Sequence, residues 1–149
     1  MEEVTINKVR AAINKQLGRV FPDADIYDEE IKQDLNEPAF FVALLDSSHT
    51  HELNRRYKRT HFFDIHYFPQ ESPFLNYHLN EVAEKLYTNM ELVEYGSTYL
   101  LGENMKHEYL GGILHFFIDY TISIHKEKEN IPKMESLMQD REIKEGNDG

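Results

Sequence analysis

The 149-residue chain contains no cysteine, so disulfides and thiolate metal sites are excluded from its stability and its chemistry. That absence is compatible with a reducing cytoplasm. No apolar run approaches the roughly 20 residues of a membrane span. The acidic start Met1-Glu2-Glu3 does not have the character of a signal peptide. Positive charge is scarce as well: 16 Lys and Arg stand against 27 Asp and Glu, for a net charge of -11. Phosphate affinity is supplied mostly by Lys and Arg, so this balance argues against direct binding of nucleic acid. Catalytic signatures are also missing. There is no HExxH, P-loop, GxGxxG or GxSxG. Paired carboxylates could be assembled from almost any acidic chain and discriminate nothing here.

What is present is the composition of a globular domain, 40% hydrophobic and 12% aromatic. Its most regular stretch is Ile113 to His125. The even positions Leu114, Phe116, Ile118, Tyr120, Ile122 and Ile124 are all apolar, while the odd positions from His115 onward are polar except Phe117. Strand side chains point alternately to opposite faces, so this is a long strand with one dry face and one wet face. Gly111-Gly112 before it suits a two-residue hairpin turn. With Leu110 facing Ile113, the register pairs Tyr109 with Leu114, His107 with Phe116, Met105 with Ile118, Leu101 with Ile122 and Tyr99 with Ile124. Gly102 and Glu103 are the weak points, where a bulge is plausible.

Ahead of the hairpin, Ile6, Val9, Ile13 and Leu17 recur at helical spacing, predicting an amphipathic helix from about Val4 to Val20, ended by Pro22. A short strand is expected around Ile26-Tyr27-Asp28. Pro38 to Leu45 is nearly continuous apolar sequence, suited to a strand covered on both faces, by helices on one and by another subunit on the other. Asp46 to His51 reads as turn-like polar sequence, and Thr60 to Phe68 as the next strand. There Phe63, Ile65 and Tyr67 share one face, and Phe62, Asp64, His66 and Phe68 the other. Ser72-Pro73 resembles a helix start, with an apolar stripe running to about Asn89. Leu92 to Tyr95 is a short strand that turns at Gly96. The prediction is therefore α+β, in the order α-β-β-β-α-β-β-β: a twisted, mainly antiparallel sheet with two helices packed on one face. Residues 1–126 form this single domain, and 127–149 a charged, mobile tail with about two helical turns after Pro132.

The eight histidines invite a metal reading. His49 and His51 share a side only if their segment is extended. His61 and His66 fall on opposite strand faces, and His107 lies opposite Phe116. No His/carboxylate triplet has recognisable ligand spacing, so no metal ligand, cofactor or catalytic residue is assigned. Charge, by contrast, is segregated. Asp23 to Glu37 holds seven carboxylates, without the spacing of a calcium loop, and Arg55-Arg56-Tyr57-Lys58-Arg59 is the one concentrated positive run. Asp28, Glu29 and Glu30 on one side, and Arg55, Arg56, Lys58 and Arg59 on the other, are candidates for the two halves of a subunit interface.

Several segments together resemble the tail-terminator family encoded by prophages of Gram-positive bacteria, relatives of the head–tail joining proteins of long-tailed phages. They are Ile26-Tyr27-Asp28-Glu29-Glu30, Glu37-Pro38-Ala39-Phe40-Phe41, Arg55-Arg56-Tyr57, Phe63 to Phe68, Met105-Lys106-His107-Glu108 and Gly112 to Tyr120. The likeness spans about Val4 to His125. It implies a structural virion protein, not an enzyme. Similar proteins form a ring, usually of six subunits, which caps the tail tube, stops its polymerisation and offers a docking surface for the head. The implied partners are other copies of the chain, the tube protein and a head-completion or connector protein, with no membrane and no sequence-specific nucleic acid. The implied locations are the virion tail and, during assembly, the host cytoplasm. A negatively charged lumen would let DNA pass without sticking. Two rival readings are a small protein-binding adaptor, which predicts a stable monomer, and a divalent-metal hydrolase, which predicts carboxylates and imidazoles gathered in one pocket.

Overall fold

A computed structural model describes residues 4–30 and 34–125. The charged tail and the turns expected after Pro132 lie outside the described residues. The first helix, α1 (Ile6–Val20), buries Val9, Ile13 and Leu17, one residue per turn on a single stripe. Its start is set by Thr5, whose hydroxyl accepts the Lys8 N–H at 3.1 Å; this cap places the first turn two residues later than hydrophobic spacing alone predicts. At the other end the Phe21 N–H closes on the Leu17 carbonyl at 2.8 Å, and Pro22 follows.

The strands are β1 (Asp25–Tyr27), β2 (Ala39–His51), β3 (Arg56–Phe68), β4 (Leu92–Tyr95), β5 (Thr98–Leu110) and β6 (Ile113–His125), with α2 (Leu75–Asn89) between β3 and β4. They form one sheet in the order β1-β2-β3-β6-β5-β4, in which only the β1–β2 pair is parallel. Element order and class match the sequence expectation. Both helices lay their apolar stripes on one face. There, Leu79, Val82, Ala83 and Leu86 of α2 join the α1 stripe over Phe40, Val42, Phe63, Ile65, Phe116 and Ile118.

Three local expectations are corrected. Asp46 to His51 is strand, not turn: Ser47, Ser48, His49, Thr50 and His51 each find a partner on β3, and the chain reverses only at 52–55, where Asn54 takes a φ of 56°. β3 accordingly begins at Arg56 rather than Thr60. Leu45 is bulged out of this ladder, between the Leu44–Phe63 and Asp46–Phe62 pairs. The second helix starts at Leu75, because the Ser72 hydroxyl accepts the N–H of Phe74 at 3.0 Å, two residues on, and so closes a turn instead of capping the helix.

The third correction lies in the central hairpin. Leu110–Ile113, Tyr109–Leu114 and His107–Phe116 pair as expected, across Gly111 and Gly112 at φ 60° and 80°. Beyond Lys106–Phe117 the register slips by one residue, at Asn104 (φ 54°) and Met105, and Leu101 meets Thr121 instead of Ile122. Leu100 and Gly102 therefore face the helices, while Tyr99 and Leu101 are exposed. Gly102 suits this inward position because a side chain would not fit. A Cβ there would collide with Ile118 Cδ1 and stand 3.0 Å from the Met90 carbonyl. That same carbonyl accepts the fully buried Tyr120 hydroxyl at 2.6 Å, and burial drives the phenol's pKa far upward.

Candidate functional site

Alternation along the strands decides which side chains are left on the face away from the helices. They include Phe41 on β2, Phe62, Asp64, His66 and Phe68 on β3, and His115, Phe117 and Asp119 on β6. The four phenylalanines are only half-buried. Arg10 lies over the Phe41 ring at 5.6 Å and Lys106 over Phe117 at 5.5 Å. At the far edge the Leu92–Leu101 pair and Tyr99 are about half exposed, set apart from the phenylalanines by Glu103, Asp119 and Thr121. Within the nearly continuous apolar run from Pro38 to Leu45, Phe40 and Val42 are the residues on the helix side. Both are fully buried in the protomer's own core, and the surplus lies one residue away, at Phe41.

In the middle of this face, Asp64 and His66 stand two residues apart on β3, and His115 pairs directly with His66 across β6. Asp64 Oδ2 lies 2.9 Å from both His66 Nε2 and His115 Nδ1, while its Oδ1 is buried without a hydrogen-bond partner. Sequence reasoning missed this group. The Asp-x-His spacing was visible in it, but the third member depends on the β3–β6 register, which no local pattern gives.

The candidate interface residues sit at two places. Asp28, Glu29 and Glu30 follow β1, with the Asp28 carbonyl taken by Arg10 and its carboxylate by Asn14 at 3.2 Å. The basic run forms the tip and return strand of the β2–β3 hairpin. Tyr27 pairs with Phe41, and roughly 30 Å of strand separates Phe41 from His51 at that tip. Alternation also divides the positive charge: Arg56 and Lys58 are exposed on the helix-free side, whereas Arg59 turns to the other side. Its guanidinium donates to His49 Nδ1 and to the Val4 carbonyl, both at 3.2 Å. Because the segment is extended, His49 and His51 do share a side, and both rings stack on Tyr57.

His61, at the root of this hairpin, is fully buried and neither ring nitrogen has a partner. Burial first, then the Arg59 charge, lowers its pKa from the ordinary 6.5; Ser47 and Tyr120 flank it across β2 and β6. Between the lowered native value and 6.5 the unfolded chain binds the proton and the folded chain does not. The fold is therefore fully stable above that window and loses stability as pH falls through it. Replacing His61 with Phe, which keeps an aromatic ring but has no titratable nitrogen, is expected to flatten the decline in melting temperature between pH 6.5 and 5. A melting series in which variant and parent fall in parallel would refute the assignment.

A cleft of about 890 Å³ separates the end of α1 from the start of α2, walled by Phe21, Pro22, Pro38, Tyr67 and His78. The Tyr67 hydroxyl is tied to His78 Nε2 at 2.7 Å, and burial raises its pKa to about 12. No helix among the described residues is long and apolar enough to cross a membrane.

Residues 8–132 match a family model described as phage tail terminator protein. A search of curated proteins finds no match. Solved structures give 29 matching chains. One of these aligns over 85% of this chain and all of its own length, at 13% identity and a TM-score of 0.39. With the family model covering most of its length, the chain belongs to the phage tail terminator family, a family of structural tail proteins.

Proposed function

We propose that this protein caps the tail tube of a long-tailed phage or prophage, stops addition of further tube subunits and presents the surface to which the head is joined. Family membership gives the structural role in the tail; one observation carries the finer reading. The sheet face opposite the helices bears four half-buried phenylalanines, with the exposed Leu92, Tyr99 and Leu101 farther along it, and neither helix packs on it. Surface of that kind is costly to leave in water and suits burial against other subunits.

Closure into a ring, most simply of six copies, needs a different patch on each side of every protomer. Two unlike edges are available. β1 pairs only with Ala39–Phe41, leaving the β2 edge open from Ala43 to His51, and β4 pairs only with Thr98–Leu101, with the Gly102 N–H taken by the Glu91 carbonyl, leaving the β5 edge open from Glu103 to Leu110, among the described residues. Separately from these edges, the positive hairpin tip of one copy is the proposed partner of the carboxylates after β1 of another.

The test is polymerisation of the tube protein with and without this chain. Capping predicts short tubes with one closed end; an unchanged length distribution overturns the reading. The double variant Arg55→Glu with Arg56→Glu is expected to fold normally and to weaken ring assembly about tenfold at low salt, less at high salt. Assembly by light scattering that is unaltered at either ionic strength would remove the charge pairing from the account.

A further inference from the structure

The group on the open face has the chemistry of a metal site. Among the described residues, the donor atoms of Asp64, His66 and His115 lie within 4.8 Å of one another. Zinc takes imidazole nitrogen at about 2.0–2.1 Å and carboxylate oxygen at about 2.0–2.2 Å, so tetrahedral donors stand roughly 3.4 Å apart. Starting from 2.9 Å and at most 4.8 Å, the three reach that spacing by side-chain movements of roughly 0.5 to 1.4 Å.

A plain hydrogen-bonded cluster accounts for only part of what is there. Two imidazoles satisfy Asp64 Oδ2, yet Oδ1 remains buried without a partner on a residue only 6% exposed. Such an atom is costly unless something binds it. A cation held by both carboxylate oxygens, or a water on that cation donating to Oδ1, supplies the missing partner. The imidazoles are also held in place: Phe41 and Phe68 flank His66, and Phe117 stacks beside His115 at 6.3 Å. We propose that Asp64, His66 and His115 bind one zinc-type divalent cation on the helix-free sheet face, through three protein ligands and one open position. Two nitrogens and one carboxylate favour zinc over magnesium, which prefers an all-oxygen octahedron. The open position faces the surface that the tail reading assigns to neighbouring subunits, where water or a neighbour's carboxylate can fill it. The site itself does not depend on that reading.

The test is calorimetric titration of the metal-stripped full chain with zinc chloride, alongside melting curves. One ion per protomer and a higher melting temperature are expected, with magnesium giving neither. His66→Gln and His115→Gln should each weaken uptake at least tenfold, and Asp64→Asn, which preserves shape, should do the same if a Gln variant fails to fold. The control His49→Gln with His51→Gln should bind like the parent. No saturable zinc uptake, equal uptake of magnesium, or uptake that survives these changes in folded variants overturns the proposal.

Discussion

Phe62→Lys is expected to leave the protomer folded and to abolish its assembly. Phe62 sits half-buried on the helix-free face, with Asp46 beside it on β2 and Asp119 on β6. In the isolated chain a lysine there lies between two carboxylates, and its aliphatic stem covers part of the surface the ring covered. The protomer should therefore melt within a few degrees of the parent. On assembly the same lysine must leave water in an apolar contact. Losing a buried aromatic side chain removes about 1.5–3 kcal/mol, and desolvating the charge adds to that. In a ring every copy carries the defect, so it is repeated at each contact. Sizing by light scattering, together with tube-length distributions, should show protomers and uncapped tubes. Wild-type assembly by Phe62→Lys would mean that this face is not the contact surface.

Phe63→Ala, one residue away, is expected to do the opposite and strongly destabilise the fold. Phe63 is fully buried, 6.2 Å from the Tyr120 ring, and flanked by Leu44 and Ile118 in the ladders. Phe-to-Ala changes in a packed core cost about 3–5 kcal/mol, from lost transfer energy plus the cavity left behind. Against a total stability of about 5–15 kcal/mol, this is a large share, and a melting temperature lower by 10 °C or more is expected. Adjacent residues on one strand thus separate fold from assembly. A Phe63→Ala chain that melts like the parent would contradict the placement of the core.

How much the residues disclose beforehand follows from where the information lies. Helix stripes and strand alternation are local, so Val9-Ile13-Leu17 and Phe63-Ile65-Tyr67 declare their inward faces unaided. The Leu110–Ile113 end of the hairpin is legible for the same reason: a two-residue turn fixes its register. A bulge is legible near Gly102 and Glu103, but its exact place at Asn104 and Met105 is not, because it answers to the fit of Gly102 against Ile118 and Met90, which come from elsewhere in the chain. Asp46 to His51 misleads because aspartate and serine favour turns in isolation, whereas here a long antiparallel partner pairs with Asp46 through His51. The Asp64, His66 and His115 group is hidden most deeply. His115 reaches it only after β6 has docked beside β3, with α2, β4 and β5 intervening along the chain.

The two sheet edges left bare among the described residues carry a hazard before any virion exists. Unpaired strand borders on freshly made chains invite stacking into fibres that never close. The borders are accordingly blunted: Glu103, Lys106 and Glu108 punctuate β5, Asp46 follows the bulge on β2, and a net charge of -11 keeps copies apart at low concentration. Acidity in this molecule therefore acts as a safeguard against aggregation, keeping the sticky face soluble until its partners are present in quantity.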